Sequence, residues 1–435
     1  MATGDAVPAR QSDAGLVRAI GLFGLTAAIV NITIGGGIYR LPAAAAQGLG
    51  AAAPLAYLAC AVAFVFIVIC FAEAGSRVSL TGGIYAYVEV AFGPLAGLVT
   101  GVLLWACLTT AFAAVTSFLA DALGAAVPAL AGPWMRAALV ACVLGAMAAL
   151  NVRGVRTADR VNAVATVVKT APLVLLVVAG AFAIDPANLV LPALPSSSQF
   201  AKTAVILVFA FLGIETALVP GGEVRDPERT VPRAAFLAIA MVAVVYLSVH
   251  VVAQGVLGPA LAQQKMPLAE AAGVAIGGWA RQALMAASIL SMLIYASGMM
   301  LALPRLLFAF ARDGFAPAPL AAVHPRFHTP HAAIVVQAAL VAGFAISGSF
   351  EQLALLSNAG GLLSYVMCCA AAWELRRRDV RMTATRFDVP GAGIAPPIAI
   401  ALIAWLLTGL SAAEWTASAV VATAAVVLYA VRRRR

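Results

Sequence analysis

Three consecutive glycines inside an apolar stretch are the first residues of this chain whose types suggest chemistry: Asn31-Ile32-Thr33-Ile34-Gly35-Gly36-Gly37-Ile38-Tyr39-Arg40-Leu41-Pro42. Each glycine costs a helix interior about 1 kcal/mol relative to alanine. In hydrocarbon, unpaired backbone costs more still, so a broken helix survives only inside protein or along a watery cavity. The stretch predicts two half-helices joined by an unwound link. The second half would present free N–H groups and its positive dipole end to an anion such as a substrate carboxylate. The competing reading is that the glycines only let helices pack closely.

A second interruption has the same character. Phe209-Ala210-Phe211-Leu212-Gly213-Ile214-Glu215, closed by Pro220-Gly221-Gly222, sets a glycine beside a carboxylate within an apolar segment. Lys169 lies among Val167, Val168 and Ala171, where a charge is costly and must face the interior of a helix bundle. Such groups bind and move charge; they do not make bonds. No acid and base pair on one face, no His/Asp/Glu cluster has metal-ligand spacing, and no Gly-x-x-x-x-Gly-Lys-Ser/Thr phosphate loop occurs. Catalytic residues, a metal, a cofactor and direct use of ATP are therefore not expected.

The elements that carry these residues are membrane helices. The 435 residues are 63% hydrophobic and 10% charged, far from the averages of soluble domains. Hydropathy predicts an all-α membrane protein of about twelve spans, near 16–46, 51–74, 92–123, 134–150, 161–184, 200–220, 234–257, 275–310, 332–347, 353–375, 395–411 and 415–431. A polar tail, 1–15, precedes a single transmembrane domain, 16–431, and residues 432–435 form a basic end. The tail has no signal-peptide core, so no cleavage is expected. The link 77–87 reads as too polar and glycine-rich to continue a helix, and 151–156 as a basic turn. Six cysteines, all in apolar segments, read as small packing residues.

The net charge of +9 is a topology signal and gives no reason to expect nucleic acid. Of the 27 basic residues, 21 fall on one side of the predicted spans, which places both termini in the cytoplasm. The first interrupted span opens one group of five and the sixth opens the next. Five is odd, so the two halves run in opposite directions, about 16–184 and 200–375, with two extra helices at 395–431. Interrupted helices at matching positions of two halves point to an inverted-repeat transporter whose site lies between them.

Several of these motifs resemble the amino acid–polyamine–organocation superfamily of transporters. Ile34-Gly35-Gly36-Gly37-Ile38-Tyr39-Arg40-Leu41-Pro42 is similar to its first-helix signature. Phe209 to Glu215 with Gly222-Glu223-Val224-Arg225-Asp226-Pro227 resembles the sixth helix and the loop after it. Thr81-Gly82-Gly83-x-Tyr85-x-Tyr87 resembles the loop after the second helix, and Ala311-Arg312-Asp313-Gly314 the end of the eighth. The resemblance implies a LeuT-type fold of two inverted five-helix repeats with helices 1 and 6 unwound. It implies a site at Ile34, Gly35, Gly36, Gly37 and Ile38, with the N–H groups around Gly36, Gly37 and Ile38 holding a carboxylate. The carbonyls of Phe209, Ala210 and Ile214, beside Gly213, would hold an α-ammonium, with Phe209 or Phe211 as an aromatic lid. Gly36 departs from the family's Ser/Thr, which leaves backbone donors alone.

Three residues are coupling or gating candidates. Lys169 resembles a fifth-helix lysine that stands in for sodium, as a proton carrier or as a fixed structural tie. Glu215 would couple transport or only hydrogen-bond, and Tyr246 resembles a tyrosine beside that lysine. Arg40 would snorkel to an outer vestibule or attract anions, and His250 reads as a packed or interfacial residue ahead of a proton relay. The expected function is secondary transport of a neutral L-amino acid, proton-coupled or exchanging and sodium-independent. The expected location is a bacterial plasma membrane, since only three basic residues are lysines and alanine is abundant. A polyamine or cationic amino acid antiporter is the alternative, followed by a channel or a non-transporting sensor. The partners are the amino acid, the lipid bilayer and protons. Monomer and homodimer are both compatible with the chain.

Overall fold

The computed structural model describes residues 21–78, 83–153, 159–191, 195–215, 224–382 and 389–433. Five expectations lie wholly or partly outside the described residues: the 1–15 tail, the Thr81-Gly82 part of the loop motif, residues 154–156 of the basic turn, the Pro220-Gly221-Gly222 stop with Glu223, and residues 434–435 of the basic end. Among the described residues the elements are helical, as a chain in hydrocarbon must be if every backbone group is to be paired within its own segment. Seven helices are long and apolar enough to cross a membrane, and five shorter apolar helices accompany them. The protein is multi-pass.

The first span is broken as its glycines require. Helix α1 (Leu22–Thr33) stops, a single 3-10 turn covers Gly37–Tyr39, and α2 (Leu41–Leu49) resumes with proline in its first turn, where no N–H is needed. Helix α3 (Ala53–Arg77) follows, ending at Val78 in extended geometry. The 77–87 link is not all loop. Ile84–Phe92 forms a short helix, α4, launched from Gly83 at φ 57°, because its apolar residues Ile84, Ala86, Tyr87 and Val88 bury against the bundle.

Next come α5 (Pro94–Ala126), α6 (Pro133–Arg153) and α7 (Asp159–Gly180). The sixth span starts at α8 (Ser197–Leu207), whose N-terminus carries a capping box between Ser196 and Gln199. It gives way to a 3-10 turn at Val208–Phe211, earlier than the glycine alone suggests. Helix α9 (Pro227–Leu257) is the seventh span. The predicted eighth span at 275–310 is α11 (Gly278–Arg312); a short helix outside the predicted spans, α10 (Pro267–Ala275), precedes it, the two separated at Gly277 with φ 128°. Helices α12 (His331–Ser347), α13 (Phe350–Arg377), α14 (Ala395–Leu407) and α15 (Ala412–Arg433) complete the chain.

Helix α13 runs antiparallel to α5 at the centre. Ser364 Oγ donates to the Thr100 carbonyl at 3.4 Å, Cys107 Sγ lies 3.5 Å from Ser357 Oγ, and Phe118 packs on Phe350 at 5.8 Å. Asn358 Nδ2 reaches the Val205 carbonyl of α8 at 2.7 Å. Five cysteines are buried among these helices as packing residues; Cys142 is instead exposed on α6. Val420, Val426 and Val427 of α15 face outward, as lipid contact requires.

The antiparallel pair sorts the charges by end. At one end, buried Glu73 accepts from Arg77 Nε at 2.7 Å and from Arg376 Nη1 at 3.1 Å, tying α3 to α13. Beyond the spans there, Arg381 and then Arg77 hold the Asp379 carboxyl below its usual range. At the other end Arg136 pairs with Asp121 at 2.9 Å and Arg40 with Glu351 at 2.7 Å.

Candidate functional site

The two breaks meet in the middle of the bundle. In the first, Ile34 N–H still bonds the Val30 carbonyl at 2.8 Å, and Gly35 N–H turns back onto Thr33 at 2.8 Å. The ladder restarts with Tyr39 N–H on Gly36 at 3.2 Å and Arg40 N–H on Gly37 at 3.0 Å. Between these, the N–H groups of Gly36, Gly37 and Ile38 have no backbone acceptor among the described residues. Three neighbouring donors at the start of a helical turn have the arrangement that an anion cradle requires.

Glycine at position 36 is enforced by packing. A Cβ there would stand 2.8 Å from Val115 Cγ1 and 2.9 Å from Met292 Cγ. Real Cβ atoms do not come so close, and the link lies flat against α5 and α11 for that reason.

In the second break, Leu212 is extended (ψ 144°) and Gly213 takes φ 106°, which side-chain-bearing residues rarely adopt. A Cβ on Gly213 would also meet Ile32 Cγ2 at 2.8 Å, so the two breaks touch. No N–H from outside the turn donates to the carbonyls of Phe209, Ala210 or Ile214 among the described residues.

A cavity lies between the breaks. The first break contributes Ile32, Thr33, Gly35, Gly36 and Gly37, and the second Phe209, Leu212 and Gly213. Of the residues singled out in sequence, Ile34, Ile38, Ala210, Phe211 and Ile214 do not line it. The two lid candidates separate clearly. Phe209 faces the cavity, its ring against Gly37 and edge-on to Phe350 at 5.3 Å. Phe211 is turned into the core, stacked on Phe64 at 5.0 Å.

The remaining wall comes from residues that no motif marks: Leu108, Ala111 and Val115 of α5, and Tyr295 and Met299 of α11. Their spacing of three and four residues puts each set on one helix face. Helices apolar on most sides carry no periodic signal to reveal that face. Tyr295, a polar side chain within a span, was the one available cue.

Lys169 is 1% exposed, and its ammonium donates to the Asn31 carbonyl in the last turn of α1. Tyr39 hydroxyl donates to the Lys169 carbonyl at 3.1 Å, and Tyr246 hydroxyl to the Thr33 carbonyl at 2.8 Å. Lysine, both tyrosines and the first break therefore form one hydrogen-bonded group. Glu215 is buried outside the cavity lining. Its Oε2 accepts from Tyr365 hydroxyl at 2.7 Å and from Gly213 N–H at 3.0 Å, while Oε1 has no partner among the described residues.

One expectation changes here. Arg40 neither snorkels freely nor faces the cavity. Beside its bond to Glu351 it donates to the carbonyls of Gln264 at 3.0 Å and Lys265 at 3.3 Å, stapling the first span to the loop before α10 and the start of α13. Of the two readings of His250, packed and interfacial, its full burial fits the packed one. Among the described residues no group of three His, Cys, Asp or Glu side chains could hold a metal ion.

Comparison with known proteins finds matches over nearly the whole chain. The sequence model of the family described as "Amino acid permease" matches residues 20–431. The chain is 26% identical over 431 residues to the methylthioribose transporter of Bacillus subtilis (strain 168), covering 94% of this chain and 92% of that one. It is 26% identical over 436 residues to the branched-chain amino acid permease of the same organism, with 93% and 91% covered. An uncharacterized transporter of Mycobacterium tuberculosis is 31% identical over 423 residues, with 96% and 92% covered.

Proposed function

The chain belongs to the amino acid permease family, and from that premise we propose that it is a secondary active transporter of neutral L-amino acids. Membership makes it a membrane transporter and not an enzyme. The observation that carries the substrate class is the cavity itself. In the two breaks that border it, the N–H groups of Gly36, Gly37 and Ile38, without a backbone acceptor among the described residues, suit a carboxylate, and the carbonyls of Phe209, Ala210 and Ile214 suit an ammonium, with Gly36, Gly37 and Phe209 at the lining itself. The wall toward α5 and α11 is apolar apart from Tyr295, which fits an uncharged side chain. The similarity to a branched-chain amino acid permease supports the same class.

The cationic alternative needs an acid facing the ligand. Glu215 is the acid at the breaks, and it is held by Tyr365 and Gly213 away from the cavity lining. The neutral reading is preferred for that reason.

In the proposed cycle two inverted five-helix repeats rock about the site, with both termini in the cytoplasm of a bacterial cell. Lys169 supplies the positive charge that sodium would otherwise bring to the carbonyls freed at the first break. Proton movement on Lys169, or exchange of one substrate for another, drives transport without sodium. Tyr246 fixes the Thr33 carbonyl, and Glu215 braces the second break. Phe209 closes over the bound amino acid and excludes water.

A competition panel against radiolabelled L-leucine in proteoliposomes tests the class. Alanine, leucine and phenylalanine are expected to compete. Better competition by arginine, agmatine or putrescine overturns the neutral reading.

A further inference from the structure

We infer that Tyr246, His250 and Gln254 on α9 hold a file of internal water that carries protons between the Asn188 end of the bundle and Lys169. The inference rests on the reading of Lys169 as the proton-carrying site. The three residues are four apart, so they share one face of the helix and span about 12 Å at 1.5 Å per residue.

His250 is fully buried, and neither of its ring nitrogens has a hydrogen-bond partner among the described residues. An imidazole always has something to give or accept at both nitrogens. Gln254 Oε1, Thr33 Oγ1 and Asn31 Oδ1 are likewise buried and unpartnered. Buried polar atoms without protein partners are where internal water binds, each molecule serving two to four of them.

Both ends of the file are tied to something. At the inner end Tyr246 hydroxyl donates to the Thr33 carbonyl at 2.8 Å, and Lys169 donates to Asn31 two residues earlier. At the outer end Gln254 Nε2 donates to the Asn188 carbonyl at 3.4 Å. Asn188 is half-buried, while Asp185, Pro186 and Ala187 beside it are exposed. Tyr57 of α3 closes the side, its ring 5.1 Å from His250 and 6.4 Å from Tyr246.

The titratable groups around His250 are few. Helix α3 brings Tyr57 and Cys60, α9 itself Tyr246, and α7 Lys169. Helix α10 brings Glu270, already paired with Arg281 at 2.7 Å. Asp185 caps the turn that holds Asn188. Helix α1 brings none. Among the described residues no carboxylate therefore bonds the imidazole directly, and water is the ligand of matching chemistry.

The test uses the full-length protein in proteoliposomes with radiolabelled L-leucine, in two modes. Exchange at equal pH needs no net proton flow, whereas uptake driven by a pH gradient does. His250→Leu is expected to lower gradient-driven uptake at least tenfold and flatten its pH profile, with exchange kept within twofold. Gln254→Leu acts in the same direction and carries the test if the first variant does not assemble. His250→Gln, which can still hold water, retains most of the driven uptake. Driven uptake at the parent rate in both leucine variants overturns the file.

A parent that exchanges but shows no gradient-driven uptake instead overturns Lys169 as the proton site. Hydroxyl-radical footprinting then decides the file independently of substrate. Tyr57 and His250 are oxidised faster than the core residue Phe118 if water is present, and no faster if it is not.

Discussion

Gly36→Ala adds one carbon at a tightly packed point of the first break. That Cβ would fall 2.8 Å from Val115 Cγ1 and 2.9 Å from Met292 Cγ. Neither neighbour yields easily. Val115 is β-branched within α5 and nearly fixed at χ1, and Cγ of Met292 is an inner atom whose movement displaces the whole side chain. Overpacking of this kind costs roughly 1–3 kcal/mol. The link can relieve it only by lifting off α5, which carries the N–H groups of Gly36 and Gly37 away from the carboxylate position. At about 1.4 kcal/mol per decade, affinity for L-leucine falls roughly fivefold to 150-fold. Val115→Ala removes the nearest methyl groups, so Gly36→Ala with Val115→Ala regains at least half of the lost free energy. Contacting residues show coupling of this size in double-mutant cycles. The assay is ligand-induced thermal stabilisation of the purified protein, checked by uptake in proteoliposomes. Binding by Gly36→Ala within twofold of the parent refutes the placement of the carboxylate. A double variant no better than the single one refutes the contact as its cause.

Two further outcomes follow from the same geometry. Phe209→Ala raises KM for uptake at least fivefold, whereas Phe211→Ala, buried against Phe64, loses about 3–5 kcal/mol of stability and leaves KM of the folded protein within twofold of the parent; the opposite pattern in KM would exchange their roles. Uptake by the parent is equal in sodium and choline buffers and is slowed strongly by Lys169→Ala, so a parent that stops without sodium removes Lys169 as the substitute cation.

The membrane class, the helical elements and the position of both breaks were legible in the chain, because each rests on a local cost. An apolar run must pair its own backbone, and glycines in hydrocarbon must unwind where the protein can shelter them. Gly35–Gly37 and Gly213 therefore announced the two breaks before any packing was known. Lys169 was legible for the same reason, since a lone charge within a span must find an interior partner. The Asn31 carbonyl is that partner.

Facing and pairing were decided only by tertiary structure. Leu108, Ala111, Val115, Tyr295 and Met299 complete the cavity wall, yet they lie on helices apolar on most sides, where no periodicity marks the inner face. Phe209 and Phe211 are two residues apart and chemically identical; the 3-10 turn at Val208–Phe211 sends one to the cavity and the other to Phe64. Arg40 finds Glu351 across 311 residues of chain, a contact that no local rule contains. Local cost determines where a membrane helix must break, but only the packing of the other helices determines what the break faces.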